Sequence, residues 1–316
     1  RFNLKIDLKH PGVKEIWGVI TPATLSSGML QINVITDLFF ASSIAGAAAG
    51  LGYANFLVQT PLGIISSGLI LPLLPVLSKL ANKNDQKKFI NKVKQGLIIS
   101  SGTMIALGSI FITLGPSIVN IIYGRGAFDS RAIDVVGGLL IIYGVGMPVY
   151  LCRDLLVRVF YTLGDAVVPL RISIIGIVLN IILDWLLIGS SLPFGLINPI
   201  NFGARGLVLA TIGVNIFSCV ILLLKLNNKL SRSIPIKQWA IDFCKLLVCG
   251  IISGIIALKT NDTMSIYLGN NIIIQLLKII IPSLTGIIGF LVSGRILNIQ
   301  EMNKILNIIK GILISS

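Results

Sequence analysis

Apolar residues run through this chain in eight long stretches, at 13–42, 51–77, 96–114, 132–161, 172–189, 206–226, 239–258 and 272–291, with short polar segments between them. A helix rises about 1.5 Å per residue, so about 20 residues cross a hydrocarbon core of about 30 Å. The pattern therefore predicts an all-α polytopic transmembrane helical bundle of about eight spans. Prolines mark the places where those helices should bend. Pro22 and Pro148 lie inside spans, while Pro61, Pro72 and Pro75 crowd into one span and predict a broken or kinked helix, because each removes a backbone donor. Small residues at 45–52 predict the turn that precedes that span. The last stretch, 296–316, alternates apolar and polar positions at helical spacing and reads as an amphipathic helix on the membrane surface. The first six spans, residues 1–230, form one natural bundle; 231–295 adds two further spans, with the boundary near the basic loop at Lys229.

Composition supports this reading: 54 % of the 316 residues are hydrophobic and 12 % charged, against about 25 % charged in a soluble domain. The net charge of +14 would suggest a nucleic-acid partner in a soluble protein. Here the basic residues sort by side. Counted against alternating ends of the eight spans, 20 of the 26 Lys and Arg fall on one side and 4 on the other, with Lys245 and Lys278 inside spans. That bias predicts a multi-pass membrane protein with both ends of this chain cytoplasmic, and no nucleic acid. The segment 79–94, with six lysines, is expected as a cytoplasmic loop carrying at most a surface helix. Four unpaired cysteines in apolar runs and a lone His10 offer no disulfide framework and no His/Cys metal constellation.

Charged and amide side chains inside the spans carry the candidate chemistry, since an ionised group is costly there. Asn180 and Asp184 are four residues apart and share one helix face. Asp37, on the first span, is the natural third member, and Thr211 adds a hydroxyl. Such hard oxygen donors suit Na⁺ or a proton rather than a soft metal. The competing reading is hydrogen-bonded glue between helices. Gln31 and Asn33 line a cavity or join helices; Asn55 and Gln59, four apart before Pro61, face a cavity if that helix is broken. Two local ion pairs are expected, Arg153 with Asp154 and Asp242 with Lys245, and Arg125 reads as an interfacial anchor. The sequence lacks a phosphate-binding loop, a GxSxG turn and a Ser/His pair, and the expectation is a protein that is not an enzyme.

The segment ITDLFFASSIAGAAAGLGYANFLVQTPLGIISSGLILPLLPVLSKL, together with YGRGAFD and RVFYTLGDAVVPLRI in that order, resembles the MurJ/MviN family of lipid II flippases over about residues 10–230. The resemblance implies membership of the exporter superfamily whose members have two six-helix lobes around a central cavity. It implies that this chain is the second lobe plus two C-terminal helices, with the N-terminal lobe missing. It also implies a sodium site at Asp37, Asn180, Asp184, Thr211 and the Leu207 backbone carbonyl, with Na⁺ as the one possible bound ion. The expected activity is flipping of undecaprenyl-linked peptidoglycan precursor, lipid II, by cation- or potential-linked alternating access among membrane lipids. The alternative is a multidrug/cation antiporter or polysaccharide-unit flippase of the same superfamily. Where many family members carry an Asp-Arg pair and a Glu three residues later, this chain has Asn55, Phe56 and Gln59. Phosphate recognition is thus expected to fall to arginines of the missing lobe.

Overall fold

A computed structural model describes residues 32–83, 85–189, 201–267, 272–299 and 301–302, with isolated positions at 17, 20, 21 and 24. Its elements are α1 (Ile32–Ala41), α2 (Ala47–Ile65), a π-helical turn (Ser66–Ile70), α3 (Leu71–Asn82), α4 (Gln86–Tyr123), α5 (Ser130–Thr162), α6 (Val167–Ile188), α7 (Ala204–Lys229), α8 (Ile236–Tyr267) and α9 (Ile272–Ile296). No strand occurs among the described residues. Among the described residues seven helices are long and apolar enough to cross a membrane, α2 and α3 counting as one with the turn between them. They coincide with the second to eighth expected spans. The first expected span lies largely outside the described residues, apart from α1 at its end, and so does nearly all of the surface helix expected at 296–316.

The expected break in the second span takes a particular form. Pro61 and Pro75 sit inside α2 and α3, and the five-residue π-turn between them absorbs the mismatch without interrupting the helix. The segment 79–94 differs from the expected loop: α3 continues to Asn82 and α4 begins at Gln86, leaving only a short break. Asp85 makes this possible by capping α4, its side chain accepting from the Lys88 N–H at 3.3 Å. Lys87 and Lys88 remain exposed on α4 and Lys83 in the break, so most of these charges extend outward on helix rather than coil. Asp129 caps α5 in the same way, accepting from Ala132 N at 2.8 Å.

The core is centred on α4 and α5. They approach closely because Gly108 and Gly144 face each other: a methyl group at Gly108 would run into the Gly144 carbonyl oxygen, and one at Gly144 would come within 2.8 Å of the Gly108 oxygen. Small residues at a crossing permit van der Waals contact that lipid cannot supply. Around this centre, α2 and α7 pack on α5, and α6 packs on α7. The α8–α9 pair rests on α4 through Ile98, Ile105, Leu246, Cys249 and Phe290. Ser109, Ser253 and the Gly286 carbonyl form a buried relay between α4, α8 and α9, with links of 3.1 and 2.8 Å.

Candidate functional site

The interior side of α6 is polar at two consecutive helical turns. Asn180 and Asp184 are both fully buried, at 0 % exposure. The Asn180 amide nitrogen donates to Asp184 Oδ2 at 2.7 Å and to Asp37 Oδ1 of α1 at 2.9 Å. Thr211 Oγ1 of α7 donates to the other Asp37 oxygen at 3.1 Å. Three helices thus bring together four of the residues singled out from the sequence. Leu207 lies one turn before Thr211 on α7 and is fully buried. On the other side of Thr211, Asn215 donates to the Thr211 carbonyl at 2.7 Å.

The hydrogen bonds do not satisfy the cluster. Asn180 Oδ1 and Asp184 Oδ1 are buried with no partner among the described residues. A buried acceptor left unmade costs about 1–3 kcal/mol, more if charged. Two carboxylates in a low-dielectric interior also repel unless a positive charge or a proton lies between them. Carboxylate, amide and hydroxyl oxygens form a hard donor set, and the two orphaned oxygens are the acceptors such a cation would use. Asp37, Asn180, Asp184 and Thr211 fit a small monovalent cation on that ground.

Other sequence-based expectations resolve differently. Asn55 is half-buried and Gln59 exposed on α2, whose buried positions are Ala47, Gly50, Leu51, Ala54, Val58 and Leu62; neither residue joins the acidic cluster. Asp154 does not pair with Arg153. It pairs with Arg158 one turn on, at 2.9 Å, and accepts from Ser66 Oγ of the π-turn at 2.8 Å. Adjacent helical residues point about 100° apart, whereas positions four apart share a face. Asp242 pairs not with Lys245 but with Lys94 of α4 at 2.7 Å, while Lys245 donates to the Leu297 carbonyl at 3.2 Å. Arg125 is exposed in the turn between α4 and α5, beside packed rings of Tyr53, Tyr123 and Phe128.

Sequence reasoning missed Asn215 and Ser218. They follow Thr211 by four and seven residues, the spacing of one helix face, and that spacing was the available signal.

Membrane-length helices around a buried, incompletely satisfied acidic cluster define a multi-pass helical membrane protein. A family profile described as "Lipid II flippase MurJ" matches residues 1–280, and this chain belongs to that family. It is 40 % identical to a probable lipid II flippase MurJ of Synechocystis sp. over 304 residues, 96 % of this chain and 55 % of the relative. A second probable lipid II flippase MurJ, from Rickettsia prowazekii, is 32 % identical over 199 residues, 62 % of this chain and 38 % of its own. The chain thus spans about half or less of the curated relatives it matches. In fold it resembles lipid II flippase MurJ in an inward closed conformation, with a TM-score of 0.66 at 23 % identity over 91 % of this chain and 57 % of the other. An outward-facing multidrug resistance transporter of the MATE family matches with a TM-score of 0.55 at 17 % identity, over 92 % and 67 % of the two chains.

Proposed function

We propose that this chain forms the cation-binding lobe of a lipid II flippase. The whole protein then moves an undecaprenyl-linked peptidoglycan precursor across the bacterial inner membrane, with both ends of this chain cytoplasmic. Membership of the MurJ family supports the substrate, and the asymmetry of basic residues supports the orientation. The observation that carries the mechanistic part is the fully buried Asn180–Asp184 pair reaching Asp37 across two helices, with two oxygens left without donors.

In this reading Na⁺ is cargo. When bound it supplies positive charge to the carboxylates of Asp37 and Asp184. Asn180 orients both by donating one hydrogen to each, and Thr211 fixes the second Asp37 oxygen. Neutralising the cluster favours whichever arrangement of α1, α6 and α7 brings the donors together, since a ligand shifts an equilibrium only through its differential affinity. Alternating access then proceeds by rocking of two lobes without covalent chemistry. A membrane potential of about 100 mV is worth about 2.3 kcal/mol per charge moved, enough to bias the cycle.

The test uses the full-length protein in cells depleted of their own flippase and in proteoliposomes containing lipid II. Rescue of growth is expected, and failure to rescue overturns the substrate assignment. Asp184→Ala should abolish the dependence of transport on sodium. An unchanged sodium response would reduce these residues to helix glue.

A further inference from the structure

A second polar site lies on the same helices, displaced toward the opposite end of α7 from Leu207. Asn33 stands one turn before Asp37 on α1, Ser173 and Gly176 one to two turns before Asn180 on α6, and Asn215 and Ser218 one to two turns after Thr211 on α7. Together with Arg153 of α5 they line a cleft of about 10 Å³, room for one water-sized group. Ser218 is fully buried, and its hydroxyl has no partner among the described residues; the same holds for the buried Asn33 Oδ1. Gly176 keeps the cleft open, because a methyl group there would reach 3.2 Å from Val214 Cγ1 and 3.7 Å from Ser218 Oγ.

Arg153 is what makes the cleft unusual. Its Nη2 donates to Ser173 Oγ at 3.2 Å, and among the described residues no carboxylate lies within ion-pair distance of it, the Asp154 charge acting only from farther away. The neighbouring Asp154 is taken up by Arg158 and Ser66. A guanidinium has five N–H donors in a rigid fork, so most remain available to a group entering the cleft. No carboxylate lines the cleft and Arg153 brings a positive charge to it, so an anion is favoured over a cation; the orphaned Asn33 Oδ1 is an acceptor and takes no part in holding it. Depth narrows the choice. The 33 residues of α5 measure about 50 Å, so a centred helix projects about 10 Å beyond each face of a core about 30 Å thick. Arg153 is nine residues from Thr162, about 14 Å from that end, and therefore sits just inside the acyl boundary. Lipid phosphate groups lie in the headgroup layer a few Å outside this level, a gap that the length of an arginine side chain can span.

We propose that the Arg153 cleft is an anion site that takes one oxygen of a phosphate group, with the Arg153 fork as the main donor and the Ser218 hydroxyl and Asn215 amide completing it. The phosphate is either that of a lipid headgroup or free phosphate. This site is separate from the Asp37–Asn180–Asp184 cluster and does not depend on sodium coupling; either can fail while the other stands.

The experiment takes full-length protein, wild type and the variants Arg153→Gln, Arg153→Lys and Ser218→Ala. In lipid-stripped detergent, inorganic phosphate is titrated at constant ionic strength against thermal unfolding, with chloride as the comparison ion. In parallel, native mass spectrometry counts phospholipids that survive mild activation. Saturable stabilisation by phosphate is expected, with the apparent Kd at least tenfold weaker in Arg153→Gln, about threefold weaker in Ser218→Ala and largely kept in Arg153→Lys. Loss of one retained phospholipid in Arg153→Gln identifies the headgroup as the source; unchanged retention with weakened phosphate binding identifies the free ion. Two results overturn the proposal: no saturable preference for phosphate over chloride in the wild type, or phosphate affinity and lipid retention identical in wild type and Ser218→Ala. Ser218→Ala removes a single oxygen, so the outcome stands even if Arg153→Gln fails to fold.

Discussion

Asn180 holds two carboxylates with one amide nitrogen, and this economy makes it the most sensitive position in the cluster. Asn180→Ala removes both hydrogen bonds and leaves Asp37 and Asp184 facing each other with less screening. A loss of about 2–4 kcal/mol is expected from unsatisfied buried charged groups. Thermal unfolding of the purified protein checks it, and adding Asp37→Asn to Asn180→Ala should recover part of the loss. A double variant no more stable than the single one would mean that the carboxylates do not strain each other. At this scale much was legible. The four-residue spacing of Asn180 and Asp184 by itself places them on one helix face. The pairing of Asp154 and of Asp242 was not legible, because each chose a partner on another helix or another turn over its nearest neighbour in sequence.

Among the helices, the α4–α5 crossing depends on glycine. Gly144→Leu forces a side chain against the Gly108 carbonyl and should destabilise by about 1–3 kcal/mol through overpacking, read as a lowered melting temperature. A neutral result would show that the two helices can move apart at no cost. The turn between α5 and α6 offers a pH-dependent contact. Asp165 accepts from Lys229 Nζ of α7 at 2.6 Å and from the Val168 N–H at 3.2 Å. Partial burial pushes its carboxyl upward, but the Lys229 bond and charge and the Val167 and Val168 amides outweigh it, so it lies below the ordinary carboxylate value. A depressed value in the folded protein means that the bridge contributes fully above the unfolded value of about 3.9. That contribution disappears as pH falls through the folded value. Asp165→Asn should therefore lower stability at pH 7 and flatten its acid dependence; an unchanged acid limb would assign the sensitivity elsewhere.

Across the whole molecule, α8 and α9 are joined to the bundle by more than apolar packing. Lys94 and Asp242 meet with side chains only 17 % and 15 % exposed. Truncating either alone leaves a poorly solvated charge, whereas truncating both does not. Lys94→Met and Asp242→Leu should each destabilise, and the double variant should cost less than their sum by about 1–3 kcal/mol in a double-mutant cycle. Strict additivity would mean that α8 docks through its apolar face alone.

Hydrophobic runs as long as a bilayer is thick determined the fold class from sequence alone, since a backbone in lipid must satisfy its own hydrogen bonds and helices do so segment by segment. The sequence also determined which polar residues were worth watching, because charge within such a run is costly. Tertiary structure decided the rest: that Asp37 reaches Asn180 across 143 residues of chain, that Asp242 prefers Lys94, and that Arg153 is left facing a polar cleft rather than its sequence neighbour. Those choices rest on which helix faces meet, and helix packing is set by long-range contacts such as the Gly108–Gly144 approach, which no local pattern encodes.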